Sequence, residues 1–199
     1  GQIKNDDCAD DVRDVDLSQV HFLSGPIGVN GAMPGDLLVV DFLDLGAFPE
    51  SLWGFNGFFS KQNGGGFLTD HFPEAQKSIW DLEGMFTQSR HIPGVRFAGL
   101  VHPGLIGCLP SASLLEEWNT REKALFDTDP ARVPALATLP YAQTAHMGRL
   151  AGAGVAKAAS EGARTVPPRE HGGNCDIKDL SRGSRCFFPV NVKGGGLSM

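Results

Sequence analysis

Apolar positions along this chain fall mainly in short runs cut by glycine and proline, not in helical stripes. Residues 20–23 (VHFL), 25–29 (GPIGV) and 37–45 (LLVVDFLDL) are rich in β-branched and apolar side chains and are separated by glycine-rich turns, which predicts strands. Between the last two, Met33-Pro34-Gly35-Asp36 sets proline where φ must lie near −65° and glycine where φ must be positive, the pattern of a type II turn, so a hairpin is predicted there. Residues 37–45 lack strict alternation and predict a central strand covered on both faces.

Further along, residues 48–72 concentrate phenylalanine, Trp53 and the triplet Gly64-Gly65-Gly66. Such aromatics are expected to close a core beneath a loop, with a lid over a small pocket as the alternative. Residues 73–82 fit a short helix with Ile79 and Leu82 inward, and 95–110 a strand ending in His102, followed by a turn at Gly104 and Gly107. Residues 113–126 predict the strongest helix: Ser113 and Glu116 form a capping box, Leu114, Trp118 and Leu125 share one face, and Glu117 pairs with Arg121. Residues 128–166 read as a loop and helix excursion, with prolines first and an alanine segment broken by glycines after. A last strand at 185–192 carries Pro189, which marks an edge or a bulge. The fold class expected is β-rich α+β, sandwich or barrel-like sheets with a few peripheral helices.

Composition narrows this picture. The 199 residues are 41% hydrophobic, enough for one domain or two closely associated lobes, and 26 glycines with 13 prolines favour a turn-rich β fold over a bundle. A net charge of −6 without a basic cluster argues against nucleic acid, and no apolar run is long enough to span a membrane. Cys8, Cys108, Cys175 and Cys186 form no C-x-x-C pair, so a reduced, cytoplasmic setting is expected. The aspartates of 5–16 lack the glycine and glutamate of a calcium-binding EF-hand loop and read as a solvated stretch or the rim of a site.

Chemistry concentrates at 167–176. Within ten residues lie Pro167-Pro168, Arg169, Glu170, His171, the turn pair Gly172-Gly173, Asn174, Cys175 and Asp176. Paired glycines let peptide N–H groups approach a small ligand closely; the plainer reading is a turn between core segments. Neither a phosphate-binding G-x-x-x-x-G-K-[ST] loop nor a nucleophile elbow G-x-S-x-G occurs, so no nucleotide cofactor is expected. A thiol nucleophile at Cys175 or Cys108 stays open, as does water activated by carboxylate, amide and imidazole groups. Asp176, Asn174, His171, His102 and His71 offer donors that zinc or calcium accept.

The runs GPIGVNGAMPGDLLVVD at 25–41, HPGLIGCLP at 102–110 and REHGGNCD at 169–176 resemble the acetamidase/formamidase family, its formamidase branch in particular, and the likeness covers essentially the whole chain. Shared elements fall on residues 25–36, on His102, Gly104, Gly107 and Pro110, and on Gly172, Gly173, Asn174 and Asp176, with Cys175 at a variable place. The resemblance implies a β-rich enzyme that hydrolyses formamide or another short aliphatic amide; a homo-oligomer is expected because the strand at 37–45 and the edge at Pro189 need covering. Gly172 and Gly173 would face the developing oxyanion, Asn174 would bind substrate, and Asp176 with Glu170 and His102 would activate water. A divalent ion on His102, Asn174 and Asp176 is a further expectation, and a non-catalytic small-molecule-binding β-module is the rival reading. The resemblance also implies an internal piece of a longer chain, with part of the catalytic set outside residues 1–199.

Overall fold

The computed structural model describes residues 1–130, 139–145 and 151–199. In chain order its elements are α1 (Asp10–Arg13), β1 (Leu37–Asp41), β2 (Trp53–Phe58), β3 (Gln76–Glu83), β4 (Phe86–Ser89), β5 (Arg96–Ala98), β6 (Leu105–Gly107), α2 (Ala112–Thr128), α3 (Ala153–Glu161), β7 (Gly172–Asn174) and β8 (Arg185–Pro189). The fold is β-rich with few helices, as expected, and no closed barrel forms among the described residues. No helix among them is long and apolar enough to cross a membrane. The chain divides into two compact units, one of Gly1–Leu17 and Leu45–Val101, the other of Ser18–Asp44 and His102–Met199.

The first unit is built on the antiparallel meander β2-β3-β4-β5. Residues 76–83, where a helix was predicted, are its central strand. The Lys77 side chain and Ile79 point to one face and are fully buried, so the period of two is present, but the polar lysine disguises it. The Lys77 ammonium donates to both Asp11 carboxylate oxygens (3.0 and 2.9 Å) and to Asp6 (2.9 Å). Burial pushes the lysine down, but its hydrogen bonds to Asp11 and Asp6 outweigh that and hold it charged. Part of the acidic stretch, read as a solvated loop, is thus the cage of a buried cation beside the short helix α1. The expectation of an aromatic core under 48–72 is corrected: Phe48, Phe55, Phe58, Phe67 and Phe72 are exposed, and the buried hydrophobic residues of this unit are Val12, Val15 and Ile79.

In the second unit, β1 pairs antiparallel with β8 in a two-stranded sheet, Leu37 opposite Pro189. The turn at 33–36 forms, with the Asp36 N–H on the Met33 carbonyl (3.0 Å) and Gly35 at φ 97°. It does not make a hairpin, because Ile27 bridges to Leu197 instead of to β1. Nor is β1 covered on both faces: Leu37 and Val39 are exposed while Leu38 and Val40 are half-buried. The strand expected to end at His102 is β5, which stops at Ala98, and the stretch expected to turn at Gly104 and Gly107 carries β6 instead. Pro189 closes β8, consistent with an edge.

Helix α2 begins two residues before the predicted box, at Ser111, whose hydroxyl accepts the Leu114 N–H at 3.2 Å. Its inward positions are Trp118 and Glu122, while Leu125 is 56% exposed. Helix α3 buries no residue and lies within the predicted excursion; the parts of that excursion at 131–138 and 146–150 lie outside the described residues.

Candidate active site

The site grows from a contact that only glycine permits. β6 and β7 pair with Gly107 opposite Gly172. A Cβ on Gly107 would fall 2.7 Å from the His171 carbonyl oxygen, and one on Gly172 would fall 2.4 Å from the Ile106 carbonyl oxygen. The far side of Gly107 exchanges backbone hydrogen bonds with Ser198 (3.0 and 2.9 Å), and Leu197 does the same with Ile27, so β6 lies between the 195–199 segment and β7. The Gly172 N–H donates to the Arg169 carbonyl (3.0 Å), which closes the turn at 169–172 and removes this amide from the expected oxyanion role.

This turn delivers three side chains to helix α2. The buried Arg169 guanidinium forms a two-pronged pair with Glu122 (2.6 and 2.8 Å), donates to the Arg164 carbonyl (2.6 Å) and lies 5.1 Å from the Trp118 ring centre. On Trp118 the His171 imidazole packs at 4.6 Å between centroids. Glu170 accepts the Trp118 indole N–H (2.6 Å) and a fork from Arg121 (2.6 and 3.2 Å). Arg121 foremost, with the backbone and the indole, lowers the Glu170 carboxyl to about 2, so it is an ionised anchor and not a proton-transfer group near neutrality. Burial first, and then the Arg169 charge, push His171 down to about 4 against the opposing charge of Glu170. Its Nδ1 is buried and has no hydrogen-bond partner among the described residues.

His171 is part of the wall of a cavity of about 250 Å³, together with Trp118, Thr165, Arg164, Cys108 and Gly173. All its lining residues belong to the second unit, and none comes from the aromatic segment 48–72. Of the residues read from sequence, Cys108, His171 and Gly173 line the cavity directly. Asn174 acts behind the wall, its amide donating to the Val166 carbonyl (2.9 Å) and fixing the backbone beside Thr165. Asp176 is seated over Gly104: the Cys175 and Asp176 N–H groups both donate to the Gly104 carbonyl (3.1 Å each), and a Cβ at Gly104 would meet the Asp176 carboxylate at 3.0 Å. His102 is not in the cavity lining and has its Nδ1 3.2 Å from the Pro103 carbonyl.

Sequence reasoning missed His21 and Thr165. The Thr165 Oγ1 accepts the His21 backbone N–H (2.9 Å) and lies 3.0 Å from His21 Nδ1, across 144 positions of chain with no motif to announce it. Burial holds His21 below the ordinary histidine range, opposed by the charge of Asp176. Among the described residues no group of three or more His, Cys, Asp or Glu side chains converges as a metal centre. Asn174 uses its amide N–H toward Val166, and no step below is routed through a divalent ion. Burial raises the Cys108 thiol, and burial with the Asp176 charge raises Cys175; both stay protonated, which disfavours the thiol reading.

A family model described as the Acetamidase/Formamidase family matches residues 1–199. The chain is 69% identical to a formamidase of Methylophilus methylotrophus, over all of this chain and 49% of that protein. It is 56% identical to an acetamidase of Mycolicibacterium smegmatis, over all of this chain and 50% of that protein. Among solved structures, a gamma lactamase from Delftia acidovorans superposes with a TM-score of 0.95 at 75% identity, over all of this chain and 48% of that one. The chain thus spans about half the length of the curated relatives it matches.

Proposed function

Because this chain belongs to the acetamidase/formamidase family, we propose that the whole protein is an amidohydrolase that cleaves formamide, or another short aliphatic amide, to the carboxylate and ammonia. The observation that carries this reading is the small cavity walled by Gly173, Thr165 and an uncharged His171. About 250 Å³ lies below the roughly 300–1,000 Å³ of sites for drug-sized ligands and suits a substrate of a few heavy atoms.

In this reading Asp176 supplies the basicity that activates water, and Asn174 holds the wall on which Thr165 stands. Water adds its oxygen to the carbonyl carbon, the C–N bond breaks, and the nitrogen leaves as ammonia with the proton taken from water. The proposal includes a cytoplasmic homo-oligomer, supported by the exposed apolar Leu37, Val39 and Phe187 on the β1–β8 sheet.

The resemblance to a gamma lactamase supports a second substrate class, the cyclic amide, in which the same C–N bond is opened. Ammonia release from formamide, acetamide and propionamide by the full-length protein, beside ring opening of a γ-lactam, separates the two. Formamide is expected to give the highest kcat/KM, because an added methylene in a confined pocket is worth about 1–3 kcal/mol. A γ-lactam preferred over every linear amide would replace the first reading with the second.

A further inference from the structure

Asp176 is not among the residues that line the cavity. Thr165 lines the cavity, and its Oγ1 is fixed to His21 twice, by the backbone N–H at 2.9 Å and by the ring Nδ1 at 3.0 Å. Since the hydroxyl oxygen already accepts the backbone N–H, its single proton is best placed on the line to Nδ1, which makes Nδ1 the acceptor and leaves the ring proton on Nε2. On this ring act two charges of opposite sign, Asp176 and Arg164. Asp176 has a left-handed backbone, φ 47°, uncommon for a residue with a Cβ, and the double hydrogen bond onto Gly104 keeps it there. Asn174 in turn pins the Val166 carbonyl, one residue past Thr165.

We propose that Thr165 and His21 form a proton relay at the cavity wall, with the Thr165 hydroxyl touching the reacting water and His21 accepting the proton through it. This deepens the amidohydrolase reading and rests on it. As water adds to the amide carbon, its proton passes to Thr165 Oγ1 while the hydroxyl proton moves to His21 Nδ1. The Asp176 carboxylate stabilises the imidazolium that results. When the tetrahedral intermediate collapses, the proton returns through Thr165 to the departing nitrogen, so the relay ends as it began and the net change is amide plus water to carboxylic acid plus ammonia.

The test is the pH–rate profile of kcat/KM for formamide, measured on the full-length wild type and on Thr165→Val, Thr165→Ser and Asp176→Asn, each checked for folding by circular dichroism. Thr165→Val is expected to lower kcat by about 10²-fold or more with KM changed by less than about threefold, and Thr165→Ser to recover to within about tenfold of wild type. Asp176→Asn removes the charge that favours the protonated ring, so the acid limb should move to lower pH, a displacement that a merely structural role would not produce. A Thr165→Val enzyme within threefold of wild type, or an acid limb that stays in place in Asp176→Asn, overturns the relay and leaves the amidohydrolase reading standing. Should Thr165→Val fail to fold, the acid limb of Asp176→Asn decides alone. A wild type that releases no ammonia from any short amide overturns the reading and the relay together.

Discussion

The Trp118 ring is in contact with the His171 imidazole, 4.6 Å between centroids, and has the Arg169 guanidinium 5.1 Å from its centre. Burial first, and then the Arg169 charge, keep His171 uncharged, with its pKa lowered to about 4 from an ordinary 6.5. Above pH 6.5 both folded and unfolded chains hold His171 neutral, and no penalty arises. Between about 6.5 and 4 the unfolded chain takes up a proton that the folded one refuses, so stability falls as pH falls through this window. His21, also held low, adds in the same direction. The loss should be on the order of 2–3 kcal/mol by pH 4. Thermal unfolding from pH 7.5 to 4.5 should show a falling Tm, and His171→Phe, which preserves the stacking, should flatten that slope; an unchanged slope contradicts the assignment.

Glu170 is expected to be an anchor. Its carboxylate is shared between the Trp118 indole and Arg121, and it stays ionised down to about pH 2. Glu170→Gln keeps an acceptor for the indole and should lower kcat by less than about tenfold, with neither limb of the pH–rate profile displaced. A loss of 10²-fold or more with a vanished limb would return Glu170 to the acid–base chemistry read from the sequence.

Much of the fold was legible before the structure, namely the β-rich class, the glycine turns and the strong helix, and of residues 167–176 the cavity takes Pro167, Arg169, His171 and Gly173 into its wall. What was lost has a common physical cause, the burial of charged residues in pairs. Lys77 sits on the inward face of β3 and made a strand look like a helix; Glu122 sits on the inward face of α2 and drew the apolar stripe toward Leu125, which is exposed. Pattern reading assigns charged residues to solvent, and each of these is buried because its partner, Asp11 or Arg169, comes from elsewhere in the chain. Thr165 and His21 were invisible for a different reason, since neither belongs to a motif and only the fold brings them together.

Lys77 gives a prediction independent of the site. With its side chain fully buried and Asp11 nearly so, Lys77→Met would leave an uncompensated buried carboxylate. The expected destabilisation is about 3 kcal/mol, read as a lower denaturation midpoint, and Asp11→Asn added to Lys77→Met should recover part of it. Lys77→Met within about 0.5 kcal/mol of wild type would show that the cage does not hold the first unit together.

The measurement that bears most directly on the central claim is ammonia release from formamide by the full-length protein, wild type beside Asp176→Asn, with both shown to be folded. The account predicts steady release by the wild type and a kcat lowered by at least about 10²-fold in Asp176→Asn. A wild type that binds formamide without releasing ammonia, or an Asp176→Asn protein as active as wild type, would contradict it.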